Sequence, residues 1–189
     1  MNIAAQREAE VGRYTALYRD ASYGLGARRR EHITSHLNRL PRGSLLDVST
    51  GRGEVLGIAR TLGFDPVRGT EAVPYLCDGE NVVHALAHAL PFADDALDTV
   101  TMFDVMEHLV PEDTAAVCRE LKRVARTRVL LTVHNEVSTW RGADGNLHIN
   151  RRADYAAWHA ELSDHFQCEV VRHGRAQSIS EMFEVLLDA

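Results

Sequence analysis

Residues 45–53 read LLDVSTGRG, a short apolar segment that turns at once into a loop containing two glycines. The apolar residues are typical of a buried strand, and a helical pattern follows from Glu54. Gly51 and Gly53 let the backbone approach a ligand closely, and the N–H groups at the start of a helix can hold an anionic group. Two glycines alone are a weak signal, because many strand-to-helix turns contain them.

An acidic residue at the end of the next predicted strand strengthens the case for a ligand site. Glu71 lies 24 positions after Asp47, where a carboxylate can accept hydrogen bonds from two ribose hydroxyls. Dinucleotide-binding folds place an acid in the same way, but their fingerprint requires a third glycine, and Leu56 stands at that position. The pattern therefore disfavours a dinucleotide.

Strand and helix patterns alternate along the rest of the chain. This order predicts an α/β fold, a doubly wound and mostly parallel seven-stranded sheet with helices on both faces. In such a sheet ligands bind along the edge where the strands end, at the point where the strand order reverses. The predicted strands cover residues 44–48, 67–70, 81–87, 99–103, 128–134, 168–172 and 182–187, and the predicted helices between them cover residues 54–62, 111–125 and 155–165.

The first forty residues are predicted to be helical, with a break at residues 23–26. We expect residues 1–40 to form a helical segment that can act as a lid, and residues 41–189 to form the main domain. Tyr14 and Tyr18 are candidates to close over the ligand, although a packing stripe against the domain explains their spacing equally well. The basic run at residues 28–30 is interpreted as a solvated helix face.

Four motifs together resemble the class I S-adenosylmethionine-dependent methyltransferases of the small-molecule type, a group that includes enzymes of ubiquinone and menaquinone biosynthesis. The motifs are the glycine loop, the acid at Glu71, the segment LPFADDALDTV at residues 90–100 and the segment DVMEHL at residues 104–109. The resemblance covers about residues 44–150 and implies a Rossmann-like methyltransferase fold. It also implies that the chain binds S-adenosylmethionine, transfers its methyl group to a small-molecule acceptor and releases S-adenosylhomocysteine.

The resemblance also implies which residues contact the cofactor. Ser49 stands where the family usually has glycine, and it is expected to fit if the backbone there is not left-handed. Leu86 stands where the family often has an acid that contacts the adenine amino group, so Leu86 or Ala87 is expected to pack on the ring instead. The expected cofactor-binding residues are Asp47, Ser49, Gly51, Gly53, Glu71, Leu86, Ala87 and Phe103.

Methyl transfer from a sulfonium is an in-line displacement, so the protein mainly holds the acceptor close to the methyl group. A general base is needed only if the acceptor must lose a proton. His108 follows the fourth predicted strand at the ligand edge and is the leading candidate for that base, with helix packing as the alternative. Glu107, beside it, is a candidate to orient the ring or to contact substrate.

Further polar residues follow the fifth predicted strand. His134 and Asn135 end that strand at the ligand edge, and both are predicted to contact substrate. His148 and Asn150 lie in a later loop and are interpreted as local turn formers. These four residues therefore receive different predictions, although all of them lie within the stretch that resembles the family.

Composition narrows the function further. The net charge of −6 argues against a broad nucleic-acid surface. Three widely spaced cysteines, the lack of a signal-peptide pattern and the lack of a long apolar run predict a cytoplasmic location and no membrane span. No metal site is predicted, because a strand over residues 82–87 would not bring His84 and His88 together as a helix would, and no carboxylate or cysteine partner is nearby in sequence.

Two other functions stay open at this point. The first is a non-catalytic protein of the same fold that binds only the cofactor or a partner, which the departures at Ser49 and Leu86 would allow. The second, less favoured, is a nucleic-acid or protein methyltransferase. The chain lacks the Asn/Asp-Pro-Pro-aromatic motif that amino-group methylases of DNA often carry after the fourth strand. Little chain is left to cap the acceptor, so the pocket is expected to be open or to be completed by a second subunit of a homodimer.

Overall fold

A computed structural model describes residues 2–21, 23–136, 141–142, 145–173 and 180–187. The strands are β1 (Leu45–Val48), β2 (Val67–Glu71), β3 (Val82–His84), β4 (Leu97–Phe103), β5 (Ala125–Val133), β6 (Arg141–Gly142), β7 (Gly145–Asn146), β8 (Glu169–Arg172) and β9 (Glu181–Leu186). The α-helices are α1 (Ile3–Leu17), α2 (Ala27–Leu37), α3 (Glu54–Thr61), α4 (Thr114–Val124) and α5 (Tyr155–Phe166). Single 3₁₀ turns cover residues 74–76, 106–108 and 111–113.

Seven strands form one sheet in the order β3-β2-β1-β4-β5-β9-β8. The pairs among β3, β2, β1, β4 and β5 are parallel, and β9 runs antiparallel to both of its neighbours. The strand order reverses between β1 and β4, which places the expected ligand edge at their carboxyl ends. The prediction of a doubly wound, mostly parallel seven-stranded sheet is confirmed.

Helices cover both faces of the sheet, because neighbouring residues of each central strand point in opposite directions. On β1, Leu45 packs in a cluster with Ile33 of α2, whereas Leu46 packs in a second cluster with Leu121 of α4 and Trp158 of α5. All five side chains are fully buried. The continuous apolar character of β1 therefore follows from its position between two helical layers.

Several predicted boundaries differ from the structure, most clearly those of the third and fifth strands. The third strand was expected over residues 81–87, but β3 ends at His84, because its partner β2 ends at Glu71, opposite that residue. The Ala85 N–H makes the last hydrogen bond, to the Glu71 carbonyl at 3.1 Å, and the chain then turns. The fifth strand was expected to begin at Arg128, but β5 begins at Ala125, which pairs with Leu97 across a register shift. The small β6–β7 hairpin was not predicted.

The two N-terminal helices have different relations to the domain. On α2, Ile33 and Leu37 are fully buried, so this helix belongs to the core. No side chain of α1 is buried, and this helix lies against the ligand edge. The predicted lid segment thus contains one core helix and one covering helix. Within the described ranges, no helix has the length and apolarity that crossing a membrane requires.

Candidate active site

Two adjoining cavities open at the carboxyl ends of β1, β2, β4 and β5. Their volumes are about 350 and 150 Å³, and they share Tyr18, Ser49 and His108 in their walls. The larger cavity reaches Asp47 and the glycine loop, and the smaller one reaches Glu71. We refer to the two cavities together as the cleft. It lies where the sequence predicts a ligand site.

The glycine loop reverses direction between β1 and α3 through left-handed backbone. Gly51 has a φ of 57°, and Ser49 has a φ of 59°. The condition under which Ser49 was expected to fit is therefore not met. A non-glycine residue pays about 1–2 kcal/mol in this conformation, and such strain is common at functional sites.

Gly53 lies outside the cleft, in contrast to the expectation from the sequence. Its φ is 76°, and it forms the N-cap of α3. It lines a separate outer cavity together with Arg60 and Asn81. Gly53 therefore serves the turn that begins α3, and only Gly51 of the two loop glycines borders the cleft.

The Glu71 carboxylate fixes the relation between the glycine loop and β2. It accepts hydrogen bonds from the N–H groups of Gly51 and Ala72, both at 2.8 Å, and of Val73 at 2.9 Å. Burial raises the pKa of Glu71, and the backbone hydrogen bonds oppose that rise. One oxygen, Oε2, accepts a single bond from Gly51, so it retains capacity for a ligand hydroxyl.

Asp47 lies at the carboxyl end of β1 and borders the larger cavity. Thr101 on the adjacent β4 donates a hydrogen bond to its Oδ1 at 2.6 Å. Burial raises the pKa of Asp47 to about 7; the Thr101 hydrogen bond opposes this rise and the charge of Glu71 adds to it. The charge of this carboxyl group therefore changes near neutral pH.

The smaller cavity has an apolar wall. Leu86 and Ala87, the residues expected beside the adenine ring, line it together with Phe103, which also borders the larger cavity. Ala87 is buried in the core at 5% exposure, which holds this wall in place. A flat apolar ring can pack here while its edge faces backbone groups.

An aromatic cluster from the N-terminal segment covers the cleft. Tyr14, Tyr18 and Tyr23 contact one another, with ring centroids 5.1 to 6.5 Å apart. The Tyr18 hydroxyl lies against Gly51, so closely that a Cβ atom at that glycine would overlap it. Tyr14 makes an edge contact with His108 at 5.2 Å between centroids. The two tyrosines predicted from sequence thus border the cleft, and Tyr23 joins them.

One end of the cleft, which we call the histidine end, is lined by Glu107, His108, His134 and His148. His108 donates from Nδ1 to the Leu147 carbonyl at 3.0 Å, and burial lowers the pKa of His108 to about 4. Glu107 is fully buried, and burial raises the pKa of its carboxyl group well above the ordinary value. His134 and His148 border the same cavity, with ring centroids 4.7 Å apart.

Asn135 is directed away from the cleft by its hydrogen bonds. Its Oδ1 accepts from the Arg152 N–H at 3.0 Å and from Trp158 Nε1 at 2.8 Å, and its Nδ2 donates to the Arg152 carbonyl at 2.9 Å. These bonds fasten the end of β5 to α5. The predicted substrate contact is replaced by this structural role.

One cleft pair was not assigned a site role from the sequence. Arg29, in the basic run interpreted as a solvated face, donates to both oxygens of Asp104 at 2.6 Å. Asp104 follows β4 with a left-handed φ of 55°. The pair joins α2 to the end of β4 and borders the larger cavity. In the sequence, the only signal for this role was that Arg29 lies in the same helix as the core residue Ile33.

The chain matches one family model over part of its length and is similar in fold to solved structures. Residues 46–133 match the model of a family described as methyltransferase domain. The chain is similar to a protein from Pyrococcus horikoshii, with a TM-score of 0.68, 14% identity and coverage of 89% of this chain and 94% of that one. It is also similar to an S-adenosylmethionine-dependent methyltransferase from Archaeoglobus fulgidus, with a TM-score of 0.61, 15% identity and coverage of 84% and 94%.

A third similar structure contains ligands. It is 1,6-didemethyltoxoflavin-N1-methyltransferase from Burkholderia thailandensis with bound 1,6-didemethyltoxoflavin and S-adenosylhomocysteine, with a TM-score of 0.66, 18% identity and coverage of 97% of this chain and 88% of that one. No curated protein matches the chain.

The segment that matches the family model runs from β1 to the end of β5. It contains the glycine loop, Glu71 and the turn that carries His108. Residues 46–133 therefore match a family described as methyltransferase domain, and the sheet shares its fold with solved structures that include methyltransferases.

Proposed function

We propose that this protein transfers the methyl group of S-adenosylmethionine to a small-molecule acceptor. The observation that carries the proposal is the cover over the cleft. Helix α1 is held there by an ion pair between Arg7 and Asp113 and by a hydrogen bond from the Tyr75 hydroxyl to the Thr15 carbonyl at 3.0 Å. A cleft covered in this way has room for a small acceptor more readily than for a polymer.

Two further observations support a small acceptor. The similar enzyme from Burkholderia thailandensis was solved with a small molecule bound. The net charge of −6 opposes a nucleic-acid substrate. From the sequence, the pocket was expected to be open or to be completed by a second subunit. Helix α1 of the same chain borders the cleft, so the proposed site uses the described residues of one chain.

The cleft fits the cofactor in charge and in shape. S-adenosylmethionine carries a positive sulfonium and a positive ammonium group, and Asp47 and Glu71 bring carboxyl groups to the cleft walls. Glu71 Oε2 can accept a ribose hydroxyl, the wall of Leu86 and Ala87 suits the adenine ring, and Gly51 leaves open the space that a side chain would fill. When bound, the cofactor supplies an activated methyl group.

The residues at the histidine end would hold the acceptor. Because His108 Nδ1 donates to a carbonyl, the lone pair of the neutral ring lies on Nε2. That atom can accept a hydrogen bond, and finally a proton, from the acceptor. Because burial lowers the pKa of His108 to about 4, its ring is neutral near pH 7 and Nε2 can act as the acceptor of that hydrogen bond. The Tyr14 ring packs against His108 and excludes water from it.

Removing the Glu71 carboxylate tests the cofactor site. We expect Glu71→Ala to weaken S-adenosylmethionine binding by about 1–3 kcal/mol, because polar partners lose their acceptor. Titration calorimetry would measure the dissociation constant. Glu80→Ala, an exposed acid in the β2–β3 connection, is the matched control and should bind normally. If wild type binds the cofactor and Glu71→Ala binds equally well, Glu71 is not part of the site.

Binding alone does not separate the enzyme from a non-catalytic protein of the same fold. Wild-type protein should therefore also be incubated with labelled S-adenosylmethionine and a panel of small hydroxyl, amine and carboxylate acceptors. Methyl transfer to one class supports the proposal. Tight cofactor binding without transfer to any acceptor would favour the non-catalytic alternative.

Cofactor affinity should depend on pH through Asp47. The carboxyl group is mostly protonated at pH 6 and mostly ionised at pH 8, since its pKa is raised to about 7. Only the ionised form attracts the cofactor ammonium group, so affinity should rise about tenfold over that range. The same raised pKa means that Asp47 favours the folded state at low pH and loses that contribution as pH rises from 3.8 towards 7.

Asp47→Asn supplies the control for this pH dependence. The variant should bind S-adenosylmethionine more weakly at pH 8 and with an affinity that hardly changes between pH 6 and pH 8. A pH dependence that survives in the variant would assign the effect to another group of the cleft.

A further inference from the structure

We propose that Glu107, His108 and His148 form a binding site for a divalent first-row transition-metal ion at the histidine end of the cleft. Each residue offers one ligand atom, and these atoms all lie within 4.8 Å of one another. This set was not predicted from the sequence, where only His84 and His88 were weighed as a pair, because 40 positions separate His108 from His148.

The buried carboxyl group of Glu107 lacks a described partner for one of its two oxygens. Its side chain is fully buried, and its Oε1 accepts a hydrogen bond from the His134 N–H at 3.0 Å. Its Oε2 is buried without a hydrogen-bond partner among the described residues. The nearby Arg29 is engaged by both oxygens of Asp104. A buried polar atom without a partner is costly, and a bound cation would remove that cost.

Both imidazoles present the nitrogen that a metal would need. His108 Nδ1 contacts the Leu147 carbonyl at 3.0 Å, and His148 Nδ1 contacts the Glu136 carbonyl at 2.5 Å. A carbonyl only accepts hydrogen bonds, so each Nδ1 carries the hydrogen and each Nε2 carries a lone pair. Backbone carbonyls orient metal-binding histidines in this way in many proteins.

The backbone fixes the two segments that carry these residues. The Asn150 N–H donates to the Glu107 carbonyl at 2.9 Å, and Asn150 Nδ2 donates to the Met106 carbonyl at 3.0 Å. Asn150 is fully buried. Its hydrogen bonds join the segment after β7 to the 106–108 turn, so Asn150 does more than form a local turn. Ligand atoms around a tetrahedral ion lie roughly 3.4 Å apart, so binding requires the three ligand atoms to move closer together.

The ligand set indicates the class of ion. Two imidazole nitrogens and one carboxylate oxygen suit Zn²⁺, Fe²⁺, Mn²⁺ or Co²⁺ better than Mg²⁺ or Ca²⁺, which take oxygen ligands. Glu107, His108 and His148 all border the larger cavity, so open coordination positions would face the cleft. On the proposed function, an acceptor oxygen would take one of them, so the site favours a hydroxyl or carboxylate compound as the acceptor.

Metal binding is tested without cofactor or acceptor, on tag-free protein. Co²⁺ should give visible d–d absorption bands with one ion bound per chain, and equilibrium dialysis with Zn²⁺ and Mn²⁺ should show the same stoichiometry. Glu107→Gln keeps the shape of the side chain and the acceptor for the His134 N–H, and His148→Gln removes one imidazole. Each variant should raise the metal dissociation constant more than about 100-fold, since even the loss of an outer partner costs 10–100-fold.

His32→Gln is the control, because His32 and His36 form a second histidine contact, with 3.1 Å between their Nε2 atoms. This variant should bind the metal as wild type does. The proposal fails if wild type binds no ion, if Glu107→Gln and His148→Gln bind as tightly as wild type, or if His32→Gln loses the site instead. Circular dichroism confirms that each variant is folded. Cofactor titration is separate, so failure of S-adenosylmethionine binding would overturn the proposed function and leave the metal result standing.

Discussion

Gly51→Val is expected to abolish S-adenosylmethionine binding, with a dissociation constant raised more than about 100-fold, or about 2.7 kcal/mol. The backbone at Gly51 is left-handed, and a β-branched side chain is strongly disfavoured there. A Cβ atom would also overlap the Tyr18 hydroxyl and occupy space that a ligand needs. Titration calorimetry measures the loss, and circular dichroism checks that the domain remains folded.

Gly57→Val is the matched control for this substitution. Gly57 lies in α3, four residues after the N-cap residue Gly53, and a Cβ atom there would have no neighbour within 4 Å. This variant carries the same side chain a few residues away and should bind the cofactor nearly as wild type does. Normal binding by Gly51→Val would mean that the loop is only a structural turn.

His108→Asn is expected to reduce turnover by roughly 10²–10⁴-fold, the usual span for a lost general base. The Nε2 lone pair faces the histidine end of the cleft, and asparagine offers no equivalent nitrogen whether that lone pair takes a proton or holds an ion. The S-adenosylmethionine dissociation constant should barely change, because the proposed cofactor contacts come from Glu71 and the glycine loop and not from His108. Steady-state rates and calorimetry on the same preparation separate the two effects.

His165→Asn is the control for His108→Asn. His165 lies in the last turn of α5, next to Glu161, and does not border the cleft. If His108→Asn keeps its turnover and loses only thermal stability, His108 is a packing residue. If the variant loses cofactor affinity in proportion to its turnover, His108 belongs to the cofactor end of the cleft.

Much of the fold could be predicted from sequence, because its signals are local. The apolar run of β1, the turn at Gly51 and the acid at the end of β2 each lie within a few residues, and their order along the chain specifies a doubly wound sheet. The cleft walls at Glu71 and Leu86 followed from the same motifs. The third strand was predicted too long because its end is set by where the partner β2 stops, which the residues after His84 do not encode.

The rest of the site depends on contacts between distant parts of the chain. Arg29 and Asp104 are 75 positions apart, and the pairing appears only when α2 packs beside β4. Asn135 looked like a cleft residue because it follows β5, but the arrival of α5 draws its amide to Trp158. The backbone at Ser49 is a third feature that the sequence does not predict. A serine by itself disfavours the left-handed conformation, but the loop geometry imposes it.

Helix α1 stands between the cleft and solvent, and this has a consequence for how the enzyme would be assayed. On the proposed function, release of S-adenosylhomocysteine would require the helix to move, against the Arg7–Asp113 ion pair and the Tyr75–Thr15 hydrogen bond. Product departure can then be slower than the chemical step, as it is in many enzymes that close over their substrates. Under that regime good and moderate acceptors show nearly the same steady-state rate. Single-turnover measurements are needed to rank them, because only the first transfer occurs before the helix has to open.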